Sequence, residues 1–401
     1  MPVNLKPPAS LPVVAGVRLA TTQAIKSKHR DDLTVMHLAP GCNVAAVFTQ
    51  NRYPAPPVTL CREHLQKQAD RQTGIRALVI NAGIANAGTL GAGLEDAKES
   101  CRLLARLIKC RPAQVLPFST GVIMERLPMQ RYAAGLVRCV DKLTEDNWLA
   151  AAKAITTTDT VIKGATATTH GATITGIAKG SGMIHPNMAT MLAFVATDAA
   201  IEQQQLQRWQ KQISTDTYNT ISVDGDTSTN DSFVLISTGK AGAARTSGEQ
   251  RALKTTLTDV CAQLAQAIVR DGEGAKKLVM IHVHGGKSRA VCRRVGESIA
   301  RSPLVKTALA ASDANVGRFL MAIGNAGDGF DPKAVAMTIN DTPVLQGGGI
   351  HPHYNEKKTA AELKKEELTI TVHIGNSNSH ALMQTCDLTH DYIRINADYR
   401  S

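Results

Sequence analysis

The stretch Lys179-Gly-Ser-Gly-Met-Ile-His-Pro-Asn-Met-Ala-Thr190-Met-Leu-Ala-Phe-Val195 joins a turn rich in glycine to an apolar segment. Glycine and proline favour a tight turn, and the apolar and β-branched residues after it favour a strand. The hydroxyl of Thr190 stands where the turn ends and the strand begins. The simplest interpretation is a threonine that belongs to the strand, because β-branched residues are common there.

A threonine at this place has a second option. Its hydroxyl can attack the carbonyl of Ala189, and hydrolysis of the resulting ester leaves Thr190 with a free α-amine. The reference pKa of an α-amine is about 7.7–8.0, much nearer neutrality than the value of about 10.4 for lysine. The amine can therefore take the proton from its own hydroxyl, as in enzymes with an N-terminal threonine nucleophile.

Size and composition indicate a globular protein. The chain has 401 residues, 43% hydrophobic and 20% charged, and we expect two lobes or two domains at this length. No apolar run approaches the roughly 20 residues that span a bilayer, so we expect no membrane segment. The basic first thirty residues lack an apolar core, and Pro7, Pro8 and Pro12 interrupt any helix there, which argues against a targeting signal. We expect a cytoplasmic protein.

Charge and cysteine usage exclude further classes. The net charge is +11, but aromatic residues make up only 3% and the basic residues are dispersed, which disfavours nucleic-acid binding. A basic surface of this kind also attracts small anionic substrates. The eight cysteines form no Cys-x-x-Cys pair, so we expect neither disulfides nor a zinc site. Cys101 and Cys261 fall on apolar faces of predicted helices and should be core residues.

Strand-like and helix-like patterns alternate along the chain, which predicts an α/β protein with mixed sheets and covering helices. Strands are expected over 77–80, 115–118, 278–284 and 368–374, with a loop over 81–93 and a turn at 119–121. Helices are expected on the apolar faces formed by Leu94, Ala97, Cys101, Leu104 and Ile108 and by Leu257, Val260, Cys261, Leu264 and Ile268. The segments 239–249 and 346–365 look like surface excursions.

The stretch from Lys179 to Val195, the decisive stretch of this sequence, is similar to a motif of the ornithine acetyltransferases, also named glutamate N-acetyltransferases. The family motif is Lys-Gly-x-Gly-Met-Ile-x-Pro-x-Met-Ala-Thr-Met-Leu. The resemblance runs from about residue 13 to residue 401. It includes Asn81-Ala-Gly-Ile-Ala-Asn-Ala87, Ser119-Thr-Gly-Val-Ile123, Leu127-Pro-Met129, Thr157-Thr-Asp-Thr160, Val223-Asp-Gly-Asp-Thr-Ser-Thr-Asn-Asp231, Glu273-Gly-Ala275 and Ile395-Asn-Ala-Asp-Tyr-Arg-Ser401. Several long motifs in the same order make chance agreement an unsatisfactory explanation.

The resemblance implies an enzyme of arginine biosynthesis that moves acetyl from N2-acetylornithine to glutamate. It implies a self-cleaving α/β sandwich, cut between Ala189 and Thr190 into chains 1–189 and 190–401 that stay intertwined as an α2β2 unit. No cofactor or metal is implied, because Thr190 carries the acetyl group, and acetyl-CoA as a second donor is left open. The implied site residues are Thr190 as nucleophile, Thr120 and Gly121 as oxyanion hole, and Thr157, Lys179, Glu273, Asn396 and Ser401 as substrate contacts.

The chain departs from the family pattern at a few positions. Ile84 replaces an asparagine, Gly88 a cysteine and Met124 a glycine, and Val316 stands where a tryptophan is usual. None of these changes removes a chemical group from the implied machinery. Met124 follows the predicted oxyanion turn, where its side chain bears on access to the site and so on substrate selectivity. The threonine run begins at Thr156, so the choice of Thr157 depends on the alignment of the run.

Other patterns fail their tests. A phosphate-binding loop would need a glycine where Ile281 stands, and a calcium loop starting at Asp224 would need one where Thr229 stands. His282 and His284 share one strand face, but no third metal ligand can be specified. Two rival functions remain, a hydrolase that uses the same nucleophile and a non-enzymatic anion-binding or nucleic-acid-binding protein. The second predicts an intact chain.

Overall fold

The structure is a computed structural model that describes residues 2–27, 29–71, 74–185, 191–244 and 246–398, without the side chains of 68–71. Its strands are β1 (Val17–Thr22), β2 (Leu33–Leu38), β3 (Asn43–Phe48), β4 (Ala77–Ile84), β5 (Val115–Val122), β6 (Lys163–Thr169), β7 (Ala172–Lys179), β8 (Leu192–Ala200), β9 (Ile221–Ser222), β10 (Ser232–Ala243), β11 (Leu278–Gly285), β12 (Ala336–Ile339), β13 (Thr342–Gln346), β14 (Gly349–Ile350), β15 (Glu367–His373) and β16 (Ser377–Cys386). Its helices are α1 (Pro56–Arg71), α2 (Leu90–Leu107), α3 (Met129–Asp141), α4 (Trp148–Ala154), α5 (Gln203–Asp216), α6 (Ser247–Arg270), α7 (Arg289–Arg301), α8 (Pro303–Ala311), α9 (Val316–Gly324), α10 (Glu356–Leu363) and α11 (His390–Ala397).

The strands of the described ranges form three mixed sheets. The first has the order β1-β2-β4-β5, the second β3-β10-β8-β7-β6, and the third β14-β13-β12-β15-β11-β16-β9. The pairs β4–β5, β8–β10, β11–β15 and β9–β16 are parallel, and the other pairs are antiparallel. The predicted α/β architecture with mixed sheets is confirmed.

The first two sheets pack face to face around one apolar cluster. On β8, Phe194 points into this cluster and Val195 into the cluster on the opposite face, as the two-residue period of a strand requires. Phe118 of the first sheet contacts Phe194 of the second edge to face, with ring centroids 5.1 Å apart. Strands buried on both faces explain why these segments read as continuous apolar runs.

Helices cover the two outer faces. Helices α2 and α3 pack on the first sheet, with Cys101 of α2 fully buried, and helices α5 and α6 pack on the second, with Cys261 of α6 fully buried. The predicted core positions of both cysteines are confirmed. The result is a sandwich of helix, sheet, sheet and helix, while α7, α8 and α9 cover one face of the third sheet.

Several predicted boundaries are wrong. The predicted loop 81–93 contains the end of β4 and the start of α2. Asn81 is tolerated in a strand because its side-chain amide donates to the carbonyl of Ile84, 2.7 Å away. Both predicted surface excursions also contain regular structure. In the segment 239–249, β10 runs to Ala243 and α6 begins at Ser247 with a capping box of Thr246 and Glu249. The segment 346–365 contains β14 and α10.

The strands expected over 278–284 and 368–374 are confirmed to within one residue as β11 and β15. The strand expected over 115–118 is longer than predicted, because β5 continues to Val122. In the described ranges no helix combines the length and apolar character needed to cross a membrane.

Candidate active site

A cleft of about 270 Å³ opens where the ends of β5 and β7 meet the start of β8. All predicted catalytic and substrate-binding residues that the structure describes lie in its wall. The lining residues are Ala85, Thr120, Gly121, Val122, Ile123, Thr157, Thr158, Lys179, Gly182, Met183, Met191, Leu192, Ser228, Thr229, Asn230, Asp231, Glu273 and Asn396. Six predicted residues from five separate parts of the sequence therefore share one cavity.

The predicted nucleophile Thr190, the cleavage partner Ala189 and the predicted contact Ser401 lie outside the described residues. The two residues that flank the segment 186–190, His185 and Met191, each accept a hydrogen bond at the backbone carbonyl. The carbonyl of His185 accepts a hydrogen bond from the Thr227 hydroxyl at 2.7 Å, and the carbonyl of Met191 accepts one from Ser232 N at 2.9 Å. Met191 itself lines the cleft, so the chain enters strand β8 at the cleft wall.

The predicted oxyanion turn is the end of β5. Gly121 has a φ of +126°, and a Cβ at this position would lie 2.3 Å from the carbonyl carbon of Gly83. Only glycine allows so close an approach of β4 and β5. The hydroxyl of Thr120 forms no hydrogen bond with any described residue, so it can donate to a group in the cleft.

A buried polar network holds this end of β5. The side-chain amide of Asn230 donates to the carbonyls of Ala85 at 2.7 Å and Ser119 at 2.9 Å, which joins the ends of β4 and β5. The Ser119 hydroxyl donates to Asn81 Oδ1 at 2.7 Å. Buried polar groups that are fully paired in this way fix one geometry. Our sequence analysis gave Asn230 no role, although it lies in the motif that ends at Asp231.

Lys179 is the last residue of β7 and is buried, with 8% of its surface exposed. Its ammonium group has no hydrogen bond or ion pair with any other described residue. Burial lowers the pKa of Lys179, and the nearby carboxylates of Asp159, Glu273 and Asp231 oppose that shift while Lys163 adds to it. A buried cation without an ion-pair partner is suited to bind a carboxylate ligand.

Glu273 presents the opposite charge on the other side of the cleft. It follows α6, and its Oε2 accepts a hydrogen bond from Asn396 Nδ2 at 2.8 Å. Its backbone N–H donates to the carbonyl of Ser181 at 2.8 Å. A Cβ on Gly182 would lie 2.3 Å from Glu273 Oε2, so the second glycine of the decisive stretch makes room for this carboxylate.

Thr157, chosen from the threonine run, lies in the cleft wall, whereas Thr156 lines no part of it. The Thr156 hydroxyl donates instead to the carbonyl of Lys153 at 2.8 Å. Thr158, which the sequence analysis did not select, also lines the cleft, and its hydroxyl lies 2.7 Å from Ser181 Oγ. Contact of Thr157 with a substrate stays a prediction.

Two departures from the family pattern are neighbours in space. Met124 has a φ of +73°, a conformation that glycine adopts without strain. A Cβ on Gly88 would lie 2.7 Å from the sulfur of Met124. The side chain of Met124 therefore occupies the space that a side chain at residue 88 would need. The larger residue at position 124 is matched by the smaller residue at position 88.

The remaining sequence patterns have structural explanations. Ser288 caps α7, its hydroxyl accepting a hydrogen bond from Val291 N, and Asp224 accepts bonds from the backbone of Met183 at 2.6 Å and Ile184 at 2.8 Å. The rings of His282 and His284 stack with centroids 6.3 Å apart. No group of three or more metal-ligating side chains is arranged around an ion position in the described ranges.

Known proteins resemble this chain along its whole length. The ArgJ family model matches residues 18–401. The arginine biosynthesis bifunctional proteins ArgJ of Neisseria meningitidis (serogroup A, serotype 4A) and Neisseria gonorrhoeae are each 47% identical over 414 aligned residues, covering 100% of this chain and 100% of the relative. A crystal structure of arginine biosynthesis bifunctional protein ArgJ from Bacillus halodurans is 37% identical, with a TM-score of 0.50, and covers 52% of this chain and 100% of that chain. The chain therefore belongs to the ArgJ family.

Proposed function

We propose that this protein transfers an acetyl group from N2-acetylornithine to L-glutamate through an ester on Thr190, in arginine biosynthesis. The observation that carries the proposal is the cleft, which gathers Thr120, Gly121, Lys179 and Glu273 beside the start of β8. Relatives that are 47% identical over their full length are named arginine biosynthesis bifunctional proteins. A second activity is in keeping with those names, and for this chain we propose that acetyl-CoA is a second acetyl donor to glutamate.

The first step is self-cleavage. The Thr190 hydroxyl attacks the carbonyl of Ala189, so that an ester replaces the peptide bond. Water then hydrolyses this ester. The products are the fragments 1–189 and 190–401, and the new α-amine of Thr190 has a reference pKa of about 7.7–8.0. This amine then takes the proton of the Thr190 hydroxyl as the hydroxyl attacks the acetyl carbonyl of the donor.

The oxyanion formed in each step needs donors that are already in place. The hydroxyl of Thr120 and the backbone N–H of Gly121 are proposed to supply them. The hydrogen bonds of Asn230 hold the strand end from which both groups project. Donors fixed before the reaction stabilise the developing charge without reorganisation. No metal or organic cofactor takes part, because Thr190 carries the acetyl group between the two substrates.

The charges of the cleft fit amino-acid substrates. Both substrates carry an α-carboxylate, which the ammonium of Lys179, without an ion-pair partner among the described residues, is proposed to bind. Acetylornithine also carries a side-chain ammonium group, for which Glu273 is the proposed partner. Asn396 holds the Glu273 carboxylate, and Thr157 and Ser401 complete the proposed set of substrate contacts.

The two fragments are proposed to stay together after cleavage and to pair further as α2β2, in the cytoplasm. The second sheet supports the first part of this statement, because β3, β6 and β7 precede the cleavage bond while β8 and β10 follow it. Separating the fragments would expose apolar faces on both. The B. halodurans chain, matched over its full length, covers 52% of this chain, about the share of one fragment.

Intact mass spectrometry of the denatured protein tests the proposal most directly. We expect two masses, one ending at Ala189 and one beginning at Thr190, and a single full-length mass for Thr190→Ala. Incubation with acetylornithine alone should add one acetyl group to the 190–401 fragment and release ornithine. Normal cleavage of Thr190→Ala would rule out the self-processing step.

The same labelled fragment separates a transferase from a hydrolase. Glutamate should discharge the acetyl ester faster than water does, because a bound amine has a large effective concentration. Release of acetate at the same rate with and without glutamate would favour the hydrolase. Initial rates that give intersecting lines, with no acetyl group on the fragment, would exclude Thr190 as the carrier.

A further inference from the structure

The site rests on a buried ionic cluster that has no assigned role, made of Asp159, Lys163 and Asp271. Lys163 Nζ lies 2.6 Å from Asp159 Oδ1 and 2.6 Å from Asp271 Oδ2, and the three side chains are at most 1% exposed. Burying three charges carries a large desolvation cost, and apolar residues of similar size often stabilise a fold as well or better. Stability alone is therefore a weak explanation for the cluster.

Each carboxylate of the cluster also binds the backbone beside a residue of the cleft. Asp159 Oδ2 accepts a hydrogen bond from Thr157 N at 3.0 Å. Asp159 Oδ1 accepts one from Gly180 N at 2.7 Å, directly after Lys179. Asp159 thus fixes the main chain at two predicted substrate contacts.

Asp271 links two further segments that contribute residues to the cleft wall. It ends helix α6, two residues before Glu273, and it accepts hydrogen bonds from the backbone N–H groups of Thr160 at 3.0 Å and Val161 at 3.3 Å. The Thr160 hydroxyl donates to it as well. The segment that carries Glu273 is in this way tied to the segment that carries Thr157.

We propose that Asp159, Lys163 and Asp271 are positioning residues that set the placement of Lys179 relative to Glu273 and thereby the binding of both substrates. Asp159 and Lys163 precede the bond between Ala189 and Thr190, whereas Asp271 follows it. The Lys163–Asp271 ion pair therefore joins the two proposed fragments. This inference rests on the proposed function, because it assigns the cluster to substrate binding in that reaction.

The cluster also acts on Lys179 through its charge. Asp159 is the largest of the charges that hold the pKa of Lys179 up against burial, with smaller contributions from Glu273 and Asp231, while Lys163 acts in the opposite direction. Removing the Asp159 charge lowers the pKa of Lys179 further. The ammonium group is then lost at a lower pH, and with it the attraction for the substrate carboxylate.

The test compares Asp159→Asn with Asp198→Asn, a matched control in strand β8. Asp198 is also buried and also accepts a backbone hydrogen bond, from Thr173 N at 2.7 Å, but it does not line the cleft. Both variants remove one buried carboxylate charge and keep the size of the side chain. The measurements are the extent of cleavage, the thermal midpoint, and kcat and KM for both substrates from neutral to alkaline pH.

For Asp159→Asn we expect KM for both substrates to rise by about tenfold or more, the usual effect of losing a hydrogen bond to a charged group. The fall in kcat should be smaller, because Thr120 and Gly121 do not contact the cluster. The alkaline limb of kcat/KM should move to lower pH. For Asp198→Asn we expect a lower thermal midpoint with unchanged KM and an unchanged alkaline limb.

Thr160→Val provides a milder second variant in case Asp159→Asn does not fold, since it removes only one hydrogen bond to Asp271. It should raise KM for acetylornithine severalfold. The inference is overturned if the variant that folds has the KM values of the wild type. It is also overturned if the alkaline limb of kcat/KM for Asp159→Asn coincides with that of the wild type. An inactive or uncleaved wild-type protein would instead overturn the proposed function, so the two failures are distinguishable.

Discussion

Replacing Gly182 with alanine tests how closely the decisive stretch is fitted to the substrate site. The backbone of Gly182 is outside the left-handed region, so alanine causes no backbone strain there. The new Cβ, however, would lie 2.3 Å from Oε2 and 2.4 Å from Cδ of Glu273. Ordinary contact distances are about 3.5 Å or more, so the carboxylate has to move by roughly 1 Å.

That displacement breaks the contact between Glu273 and Asn396. The hydrogen bond is 2.8 Å long and would lengthen past the range in which such bonds are effective. Losing a hydrogen bond to a charged group costs about 1.5–3 kcal/mol, which corresponds to about a 10- to 150-fold loss in kcat/KM for acetylornithine. Self-cleavage should persist, because the three atoms nearest to the new methyl group all belong to Glu273, which has no part in the proposed cleavage step.

The assay measures kcat/KM for acetylornithine per mole of cleaved protein, with Gly324→Ala as control. A Cβ on Gly324, at the end of α9, meets no atom within 4 Å, so this control should behave as wild type. Combining Gly182→Ala with Glu273→Asp shortens the acidic side chain and should restore part of the activity. If Gly182→Ala alone has wild-type kcat/KM, the reasoning that places Glu273 in substrate binding is refuted.

The remaining predictions concern the oxyanion donors and the acetyl donor. Thr120→Val keeps the shape of the side chain but removes its hydroxyl, and it should lower the rates of both half-reactions by about 10²–10³-fold. Rapid-mixing measurement of ester formation and of its discharge checks this, and equal rates in wild type and variant would exclude Thr120 as a donor. With acetyl-CoA as the sole donor we expect acetylation of glutamate above background. Absence of turnover in that assay would mean that acetylornithine is the only donor.

The sequence determined the strongest local signals. The runs that became β11 and β15 predicted strands to within one residue, because apolar and β-branched residues favour strands, and their buried residues alternate along the chain as the period of a strand requires. The loop predicted over 81–93 was wrong, because the polar residues of β4 are paired by side-chain hydrogen bonds that a local pattern does not show. The capping box at Thr246 and Glu249 was readable in the sequence and would have placed the start of α6.

For the site, the sequence determined which residue types were present and, through the family motifs, which positions to consider. Only the tertiary structure brought Thr120, Lys179 and Glu273 into one cleft, because they come from three separate elements that the sandwich places side by side. It also revealed the glycine contacts at Gly121 and Gly182 and the ionic cluster around Lys163. These features depend on distances between segments remote in the chain, and a sequence encodes such distances only through the packing of the whole fold.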